Sequence, residues 1–161
     1  MARLLVIYHT RTGGSRQMAE AAHAAAREEC TASLKCADDT TPDDLLRADG
    51  YIFCAPENLA ALSGAMKEFF DRCYYEVLGR IEGRPYALMI CAGSDGSNAA
   101  RQAARIAKGW RLKPVQEAMI VCTHAQTQEQ ILGEKTIPED DLARCRYLGQ
   151  ALAAGLEMGA F

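Results

Sequence analysis

The sequence predicts an α/β domain in which five strands form a doubly wound parallel sheet. Five short apolar runs alternate with segments of helical periodicity, the order typical of a parallel sheet. The first run is apolar at consecutive positions, as in a strand covered on both faces. Residues 1–161 contain no repeat or linker, so one domain is expected. The predicted strands are Arg3–Tyr8, Ala32–Cys36, Tyr51–Ala55, Tyr86–Ala92 and Ala118–Thr123.

Apolar residues three and four positions apart predict helices over Ser15–Glu29, Leu62–Leu78 and Ser97–Trp110. A shorter helix is expected to begin at Thr41, which precedes a proline. The last helix is expected to begin at a capping box formed by Thr136 and Glu139. The apolar face of the first helix is predicted to comprise Met18, Ala21, Ala22 and Ala25, and that of the last helix Leu142, Cys145, Leu148, Leu152 and Leu156.

Composition excludes several classes of protein. The net charge of −3 gives no support for nucleic-acid binding, which favours a basic surface. No apolar run approaches the length needed to span a bilayer, and the N-terminus enters a strand pattern without a signal-peptide core. The seven cysteines form no CxxC pair and no zinc spacing, so reduced thiols and no metal site are expected. These observations predict a cytoplasmic protein without a membrane or nucleic-acid partner.

The segment that follows the first strand has the composition of a phosphate-binding turn. Leu4–Tyr8 is apolar, and Thr10–Ser15 (TRTGGS) comes where the strand gives way to a helix. The first N–H groups of a helix lack intrahelical partners, and together with the helix dipole they favour an anion. Arg11 and Arg16 are cations at the positive end of this helix, where a bound anion would offset their unfavourable position.

Two further loops are expected to join this turn. In a doubly wound sheet, ligands bind outside the carboxyl ends of the strands, where the strand order reverses. The loops concerned follow the first, third and fourth strands. They are His9–Ser15, Pro56–Ser63 and Gly93–Asn98. The first and third are rich in Gly, Ser, Thr and Asn, and the second contains Asn58 and Ser63. Topology and composition therefore predict one ligand site at this edge of the sheet.

Motifs that other proteins of this topology require are missing. The chain has no GxxxxGK[ST] string and no GxGxxG fingerprint. No cysteine starts the C-x5-R motif of low-molecular-weight tyrosine phosphatases, and His9 and Thr10 stand where response-regulator receivers have acidic residues. The GxSxG motif of α/β-hydrolases is also absent.

The three loops together resemble those of flavodoxin-like proteins, nearer the NAD(P)H-dependent FMN reductases than the electron carriers. Thr10–Ser15 resembles the T-x-T-G-x-[ST] phosphate loop of flavodoxins. Ala55–Leu59 (APENL) and Met66–Arg72 (MKEFFDR) are similar to the flavin-contacting loop and helix of the reductases, and Cys91–Gly96 (CAGSDG) to their other flavin-flanking loop. The resemblance implies a flavodoxin-like three-layer sandwich with strand order 2-1-3-4-5.

The resemblance also implies FMN as cofactor and assigns residues to it. No side chain is expected to act as acid or base, because the flavin carries the chemistry. The loops carry no aromatic residue to stack on the flavin ring, which leaves room there for nicotinamide or a quinone. The residues assigned to the phosphate are Thr10, Thr12, Gly13, Gly14 and Ser15, with Arg11 beside them. The residues assigned to the isoalloxazine and ribityl side are Pro56, Glu57, Asn58 and Leu59. The residues assigned to the other edge of the ring are Gly93, Ser94, Asp95 and Gly96.

Three functions remain open on the sequence. The first is an enzyme passing electrons from NADPH or NADH through FMN to a small acceptor such as a flavin or quinone. The second is a flavodoxin-type electron carrier with protein partners, and the third a non-catalytic domain that holds no flavin. The reductase interpretation is preferred, and its family resemblance suggests a homodimer. The aromatic residues around Tyr74 and Tyr75 exceed what one buried helix face can hold, which also favours a partner subunit.

Several single residues have both a chemical and a structural interpretation. His9 follows the first strand, and Cys54 is expected on the neighbouring third strand. The two could form a nucleophilic pair, but a buried thiol near a loop histidine is preferred. Cys54 and Cys91 could oxidise together, although a reducing compartment disfavours this. Trp110 is interpreted as a core or interface residue and not as a stack on the flavin. Lys67 is interpreted as a solvated cation that could reach the cofactor.

Overall fold

A computed structural model of the chain describes residues 1–161. The chain forms seven strands, six α-helices and a short 3-10 turn at Ala37–Asp39. The strands are β1 (Arg3–Tyr8), β2 (Thr31–Cys36), β3 (Gly50–Asn58), β4 (Ala61–Leu62), β5 (Pro85–Ala92), β6 (Lys113–Pro114) and β7 (Met119–Cys122). The helices are α1 (Gly14–Ala26), α2 (Pro42–Arg47), α3 (Gly64–Val77), α4 (Ser97–Gly109), α5 (Gln128–Leu132) and α6 (Glu139–Met158).

The main sheet is parallel and confirms the predicted strand order. Its path runs β2-β1-β3-β5, and both β6 and β7 pair with the outer edge of β5. The five predicted strands correspond to β1, β2, β3, β5 and β7, so in the predicted numbering this is the order 2-1-3-4-5. Two short strands were not predicted. β4 turns back antiparallel on the end of β3, and β6 pairs with the beginning of β5.

Helices cover both faces of the sheet and enclose two apolar cores. One core lies under α3 and α4 and contains Phe53, Phe70 and Trp110. The other lies under α1 and α6 and contains Val6, Met18 and Leu152 among its members. Trp110 is fully buried, and its indole N–H donates to the carbonyl of a tyrosine on α3 over 3.0 Å. Of the two structural roles predicted for Trp110, core or interface, the structure shows the core.

The buried face of α1 differs from the predicted one. Met18 and Ala22 are buried as expected, but Ala19 and Ala26 accompany them, and the predicted Ala21 and Ala25 are only half-buried. The cause is helix α6, which crosses α1 so closely that a Cβ on Gly149 would lie 2.1 Å from the Ala22 carbonyl oxygen. This contact between distant segments sets the rotation of α1, and the periodicity of α1 alone does not reveal it.

The beginning of the last helix was also predicted wrongly. Helix α6 begins at Glu139 with Pro138 at its N-cap, and the Thr136 side chain makes no capping bond. Ile137 precedes a proline, which disfavours the helical conformation. Its N–H bonds instead to the Gln17 side chain over 2.9 Å. The preceding helix α5 was missed, although Thr127 and Gln130 form a complete capping box there.

Candidate functional site

The three predicted loops meet at the carboxyl ends of β1, β3 and β5. The His9 N–H donates to the Cys54 carbonyl over 3.0 Å, and the His9 ring Nδ1 lies 2.9 Å from the Ser63 hydroxyl. Across the next strand, the Gly96 N–H donates to the Glu57 carboxylate over 2.9 Å. Hydrogen bonds therefore join the first loop to the second and the second to the third.

The first loop ends in a turn that directs backbone N–H groups outward. Gly13 has a φ of +93°, a left-handed conformation that suits glycine, and it serves as the N-cap of α1. The first helical hydrogen bond of α1 runs from the Gln17 N–H to the Gly13 carbonyl. The N–H groups of Thr12, Gly14 and Ser15 have no acceptor within the protein. Such a group of free donors at a helix N-terminus is suited to a phosphate.

The three hydroxyl groups of this loop are not equivalent. Thr10 Oγ1 accepts the Gly13 N–H over 2.9 Å, and Thr12 Oγ1 accepts from the Lys135 ammonium over 3.3 Å. Both threonines therefore keep their own proton for another partner. The Ser15 hydroxyl is buried and donates its proton to the His9 carbonyl over 2.5 Å. Ser15 can thus offer a ligand its backbone N–H but not its hydroxyl proton.

The two arginines of the first loop differ in their surroundings. Arg11 is exposed and forms no ion pair, so its guanidinium is available to a ligand. Arg16 pairs with Glu20 over 3.4 Å and also lies close to the Gly13 backbone. The two arginines therefore contribute one unpaired and one paired positive charge near the loop.

Two residues beside the first loop were missed by sequence reasoning. The Lys135 N–H donates to the Thr12 carbonyl over 2.8 Å. The amide of Gln17 bonds to both the carbonyl of Lys135, over 2.7 Å, and the N–H of Ile137. These bonds attach the connection between α5 and α6 to the phosphate-type turn. The capping box at Thr127 is a local sequence signal for helix α5, which precedes this connection. No local pattern predicts that the connection packs against Thr12.

The second loop is a tight hairpin with a strained tip. Leu59 and Ala60 both have positive φ, +51° and +61°, where glycine or asparagine is usual. The Leu59 side chain is fully exposed at 101%. The Asn98 amide donates to the Ala60 carbonyl over 2.6 Å and holds the hairpin against α4. Strain of this kind persists where the surroundings enforce it and is common at binding sites.

Glu57 has a structural partner instead of an open carboxylate. Its two oxygens accept the N–H groups of Gly96 and Ala99, over 2.9 and 3.4 Å, at the beginning of α4. A carboxylate at this position is stabilised by the helix dipole. Glu57 therefore orients the third loop, while Pro56 and Asn58 beside it remain partly accessible.

The third loop is shaped by close backbone contacts. Gly93 accepts the His124 N–H over 2.8 Å, and a Cβ on Gly93 would lie 3.3 Å from the Ala125 carbonyl. Gly96 has a φ of +84° and is buried, so its conformation and its surroundings both favour glycine. Ser94 and Asp95 between them are exposed, and an Asp95 oxygen caps the Ser97 N–H.

Cys54 and Cys91 are buried near the site and are unsuited to nucleophilic chemistry. Cys54 donates to the Ser15 carbonyl over 3.2 Å, and burial raises its pKa well above the usual thiol value. Burial likewise raises the pKa of Cys91 to about 11. The thiolate is the reactive form, and both residues favour the thiol. The His9 ring bonds to Ser63 and not to Cys54, and burial lowers its pKa. Lys67, for its part, pairs with Asp71 over 2.5 Å.

The residues present fit an FMN group. Its phosphate requires several N–H and hydroxyl donors together with positive charge, and the first loop supplies free N–H groups, two threonine hydroxyls and Arg11. Its ring requires backbone groups that approach closely, which the glycines of the third loop permit. The family model of NADPH-dependent FMN reductases matches residues 4–126. The chain belongs to this family.

Curated relatives cover parts of the chain. A flavodoxin from Aquifex aeolicus is 41% identical over 98 residues, which are 60% of this chain and 53% of the relative. An NAD(P)H dehydrogenase (quinone) from Acidithiobacillus ferrooxidans is 33% identical over 94 residues, 45% of this chain and 47% of the relative. The chain thus spans about half the length of these relatives.

Solved structures share the fold over nearly the whole chain. An archaeal flavodoxin superposes with a TM-score of 0.78 at 16% identity, covering 96% of this chain and 99% of its own. A flavodoxin, WrbA-like protein from Agrobacterium tumefaciens gives a TM-score of 0.72 at 18% identity, covering 98% and 99%. These similarities establish the flavodoxin-like fold that the sequence predicted, and the family supports FMN as cofactor. No helix of the chain combines the length and apolar character needed to cross a membrane.

Proposed function

We propose that this chain binds one FMN and passes electrons from NADPH or NADH through it to a small acceptor such as a flavin or quinone. The observation that carries the proposal is the set of free N–H groups at Thr12, Gly14 and Ser15, flanked by two threonine hydroxyls. FMN supplies the redox chemistry when bound, and the protein supplies binding, orientation and electrostatics. Membership of the NADPH-dependent FMN reductase family supports the same reaction class.

In this proposal each loop has its own task. Thr10 and Thr12 donate their hydroxyl protons to the phosphate, while Gly13 orients the turn and Gly14 and Ser15 present N–H groups. Pro56, Asn58 and Leu59 lie along the ring and ribityl side. Glu57 acts on the site through the N–H groups it caps, by holding the third loop. The residues of the third loop, Gly93, Ser94, Asp95 and Gly96, border the other edge of the ring.

The open ring face favours a reductase. Neither Pro56–Ser63 nor Gly93–Asn98 contains an aromatic residue, and Trp110 is fully buried in the core under α3 and α4. An aromatic side chain would occupy the face of the ring, whereas here the exposed Leu59 stands at the end of its hairpin. A nicotinamide or quinone ring therefore has room to stack on the flavin. The alternative is a flavodoxin-type carrier with protein partners, which the 41% identity to the Aquifex flavodoxin favours.

Anaerobic reduction separates these functions. The protein is incubated with excess FMN and desalted, and the flavin absorbance is followed after addition of NADPH and then of NADH. The reductase proposal predicts retained flavin that bleaches promptly with one of the two nucleotides. Retained flavin that stays yellow with both would instead support the carrier. A colourless protein after desalting would contradict tight FMN binding in both proposals.

The homodimer stays part of the proposal. On α3, Tyr75 is 82% exposed and packs edge-on against Tyr74 with ring centroids 5.2 Å apart. An exposed tyrosine of this kind is typical of an interface centre. Light scattering of the FMN-loaded protein is expected to give twice the mass of one chain, and Tyr75→Glu is expected to reduce it to one. A single-chain mass for the unaltered protein would refute the dimer.

A further inference from the structure

The connection between α5 and α6 places a cation beside the first loop. The Lys135 ammonium donates to the Ile131 carbonyl over 2.9 Å, the Gly133 carbonyl over 2.6 Å and Thr12 Oγ1 over 3.3 Å. Three acceptors match the three protons of an ammonium group. These three bonds fix the Lys135 side chain with its ammonium group on the hydroxyl of Thr12, a proposed phosphate ligand.

We propose that Lys135 is a positioning residue of the phosphate site, which orients the Thr12 hydroxyl and adds positive charge beside the bound phosphate. The inference rests on the proposed FMN site and extends it to a segment outside residues 4–126, the part of the chain that the family model matches. An oxygen that accepts from an ammonium directs its own proton elsewhere. Thr12 Oγ1 is thereby held as a donor to the phosphate.

The backbone around Lys135 keeps this arrangement rigid. Its N–H donates to the Thr12 carbonyl over 2.8 Å, so that one residue holds Thr12 at both the backbone and the side chain. The Gln17 amide bonds on either side of residue 136, over 2.7 and 2.9 Å. A Cβ on Gly14 would lie 3.6 Å from the Lys135 Cβ, in ordinary contact. The connection thus packs directly against the turn that offers the free N–H groups.

The charge of Lys135 acts from a partly solvated position. Lys135 is half-buried and lies in the wall of a cleft of about 850 Å³, between the loop after β7 and the beginning of α6. Glu129 and Glu134 line the same cleft, which makes it unsuited to a second anion. Salt screens solvated charges, so the electrostatic contribution of Lys135 is expected to be largest at low ionic strength.

Riboflavin, which has the ring and ribityl chain but no phosphate, tests the inference. Dissociation constants for FMN and riboflavin are measured by flavin fluorescence on the full chain and on Lys135→Gln. We expect Lys135→Gln to weaken FMN binding about tenfold at low salt, the size of one charge-assisted hydrogen bond. Riboflavin binding is expected to stay within about twofold. Lys113→Gln is the matched control, because Lys113 is exposed and pairs with the opposite end of β5.

A double-mutant cycle then tests the route through Thr12. Thr12→Val removes the hydroxyl at similar volume, and adding Lys135→Gln is expected to weaken FMN binding by much less than it does alone. Equal losses of FMN and riboflavin affinity in Lys135→Gln would show a merely structural role and overturn the inference. Unchanged FMN affinity, or full additivity with Thr12→Val, would also overturn it. If the unaltered protein binds neither flavin, the proposed function fails first, and the inference fails with it.

Discussion

Replacing Gly14 with alanine tests how tightly the first loop is packed onto the sheet. A Cβ at this position would lie 2.6 Å from the Cys91 sulfur, whereas its next neighbours, Ile137 and Lys135, would be at 3.5 and 3.6 Å. Cys91 is only 7% exposed on a central strand, so its sulfur has little space to move. Overpacking of this kind costs about 1–3 kcal/mol. Alanine recovers about 0.5–1 kcal/mol through its lower entropy in the unfolded chain.

The expected net effect of Gly14→Ala is a loss of about 1–2 kcal/mol in the free energy of unfolding. Urea denaturation measures it, and Cys91→Ala provides the control because it removes the sulfur. In the double variant the destabilisation caused by Gly14→Ala is expected to fall by about 1 kcal/mol or more. A Gly14→Ala protein as stable as the unaltered one would refute the packing argument. Additive losses in the double variant would refute the assignment of the clash to Cys91.

Three further predictions concern the loops of the site. Ser15→Ala removes a buried hydrogen bond to the His9 carbonyl and is expected to lower the free energy of unfolding by about 1–2 kcal/mol in urea denaturation. The ratio of FMN to riboflavin affinity should stay unchanged, and a selective loss of FMN binding would contradict a Ser15 hydroxyl that points to His9. Leu59→Asn combined with Ala60→Gly relieves two positive φ values and is expected to raise the free energy of unfolding by about 1 kcal/mol. The same variant should bind both flavins more weakly, since Leu59 is proposed to contact the ring. A lower free energy of unfolding in this variant would contradict the strain at Leu59 and Ala60. Burial lowers the pKa of His9 in the folded protein below that of the unfolded chain, which is about 6.5. The stability that comes from keeping the ring neutral is therefore complete above about pH 6.5, and it declines as the pH falls from there towards the folded-state pKa. His9→Gln should therefore lose less stability between about pH 7 and 5.5 than the unaltered protein, and an equal slope would contradict this.

Local patterns in the sequence predicted the sheet because each buried strand is marked by its own residues. Arg3–Tyr8 and Tyr86–Ala92 are apolar at nearly every position, and the structure places both in the sheet with bounds within one residue of those predicted. Prediction failed where a distant segment decides the outcome. The buried face of α1 is set by Gly149 on α6, and the end of the α5–α6 connection by the Gln17 side chain.

The candidate site divides in the same way. The glycines and hydroxyls of Thr10–Ser15 are consecutive in the chain, so their composition alone predicted a phosphate turn there. The directions of the hydroxyl protons could not be predicted, because they depend on acceptors that only the folded chain brings close. The Ser15 hydroxyl, for example, donates to the His9 carbonyl. Lys135 lies 123 residues after Thr12, and no local pattern connects the two. Glu57 likewise has an unremarkable sequence context, and only the folded chain shows that it caps α4.

The central claim is that the three loops bind FMN with its phosphate on the Thr10–Ser15 turn. A fluorescence titration of FMN into the full chain tests it most directly, with riboflavin titrated in parallel. The expected result is saturable binding of one FMN per chain, with riboflavin bound more weakly because it lacks the phosphate. Flavin fluorescence that does not change with protein concentration would contradict the site. Equal affinities for the two flavins would contradict the phosphate turn.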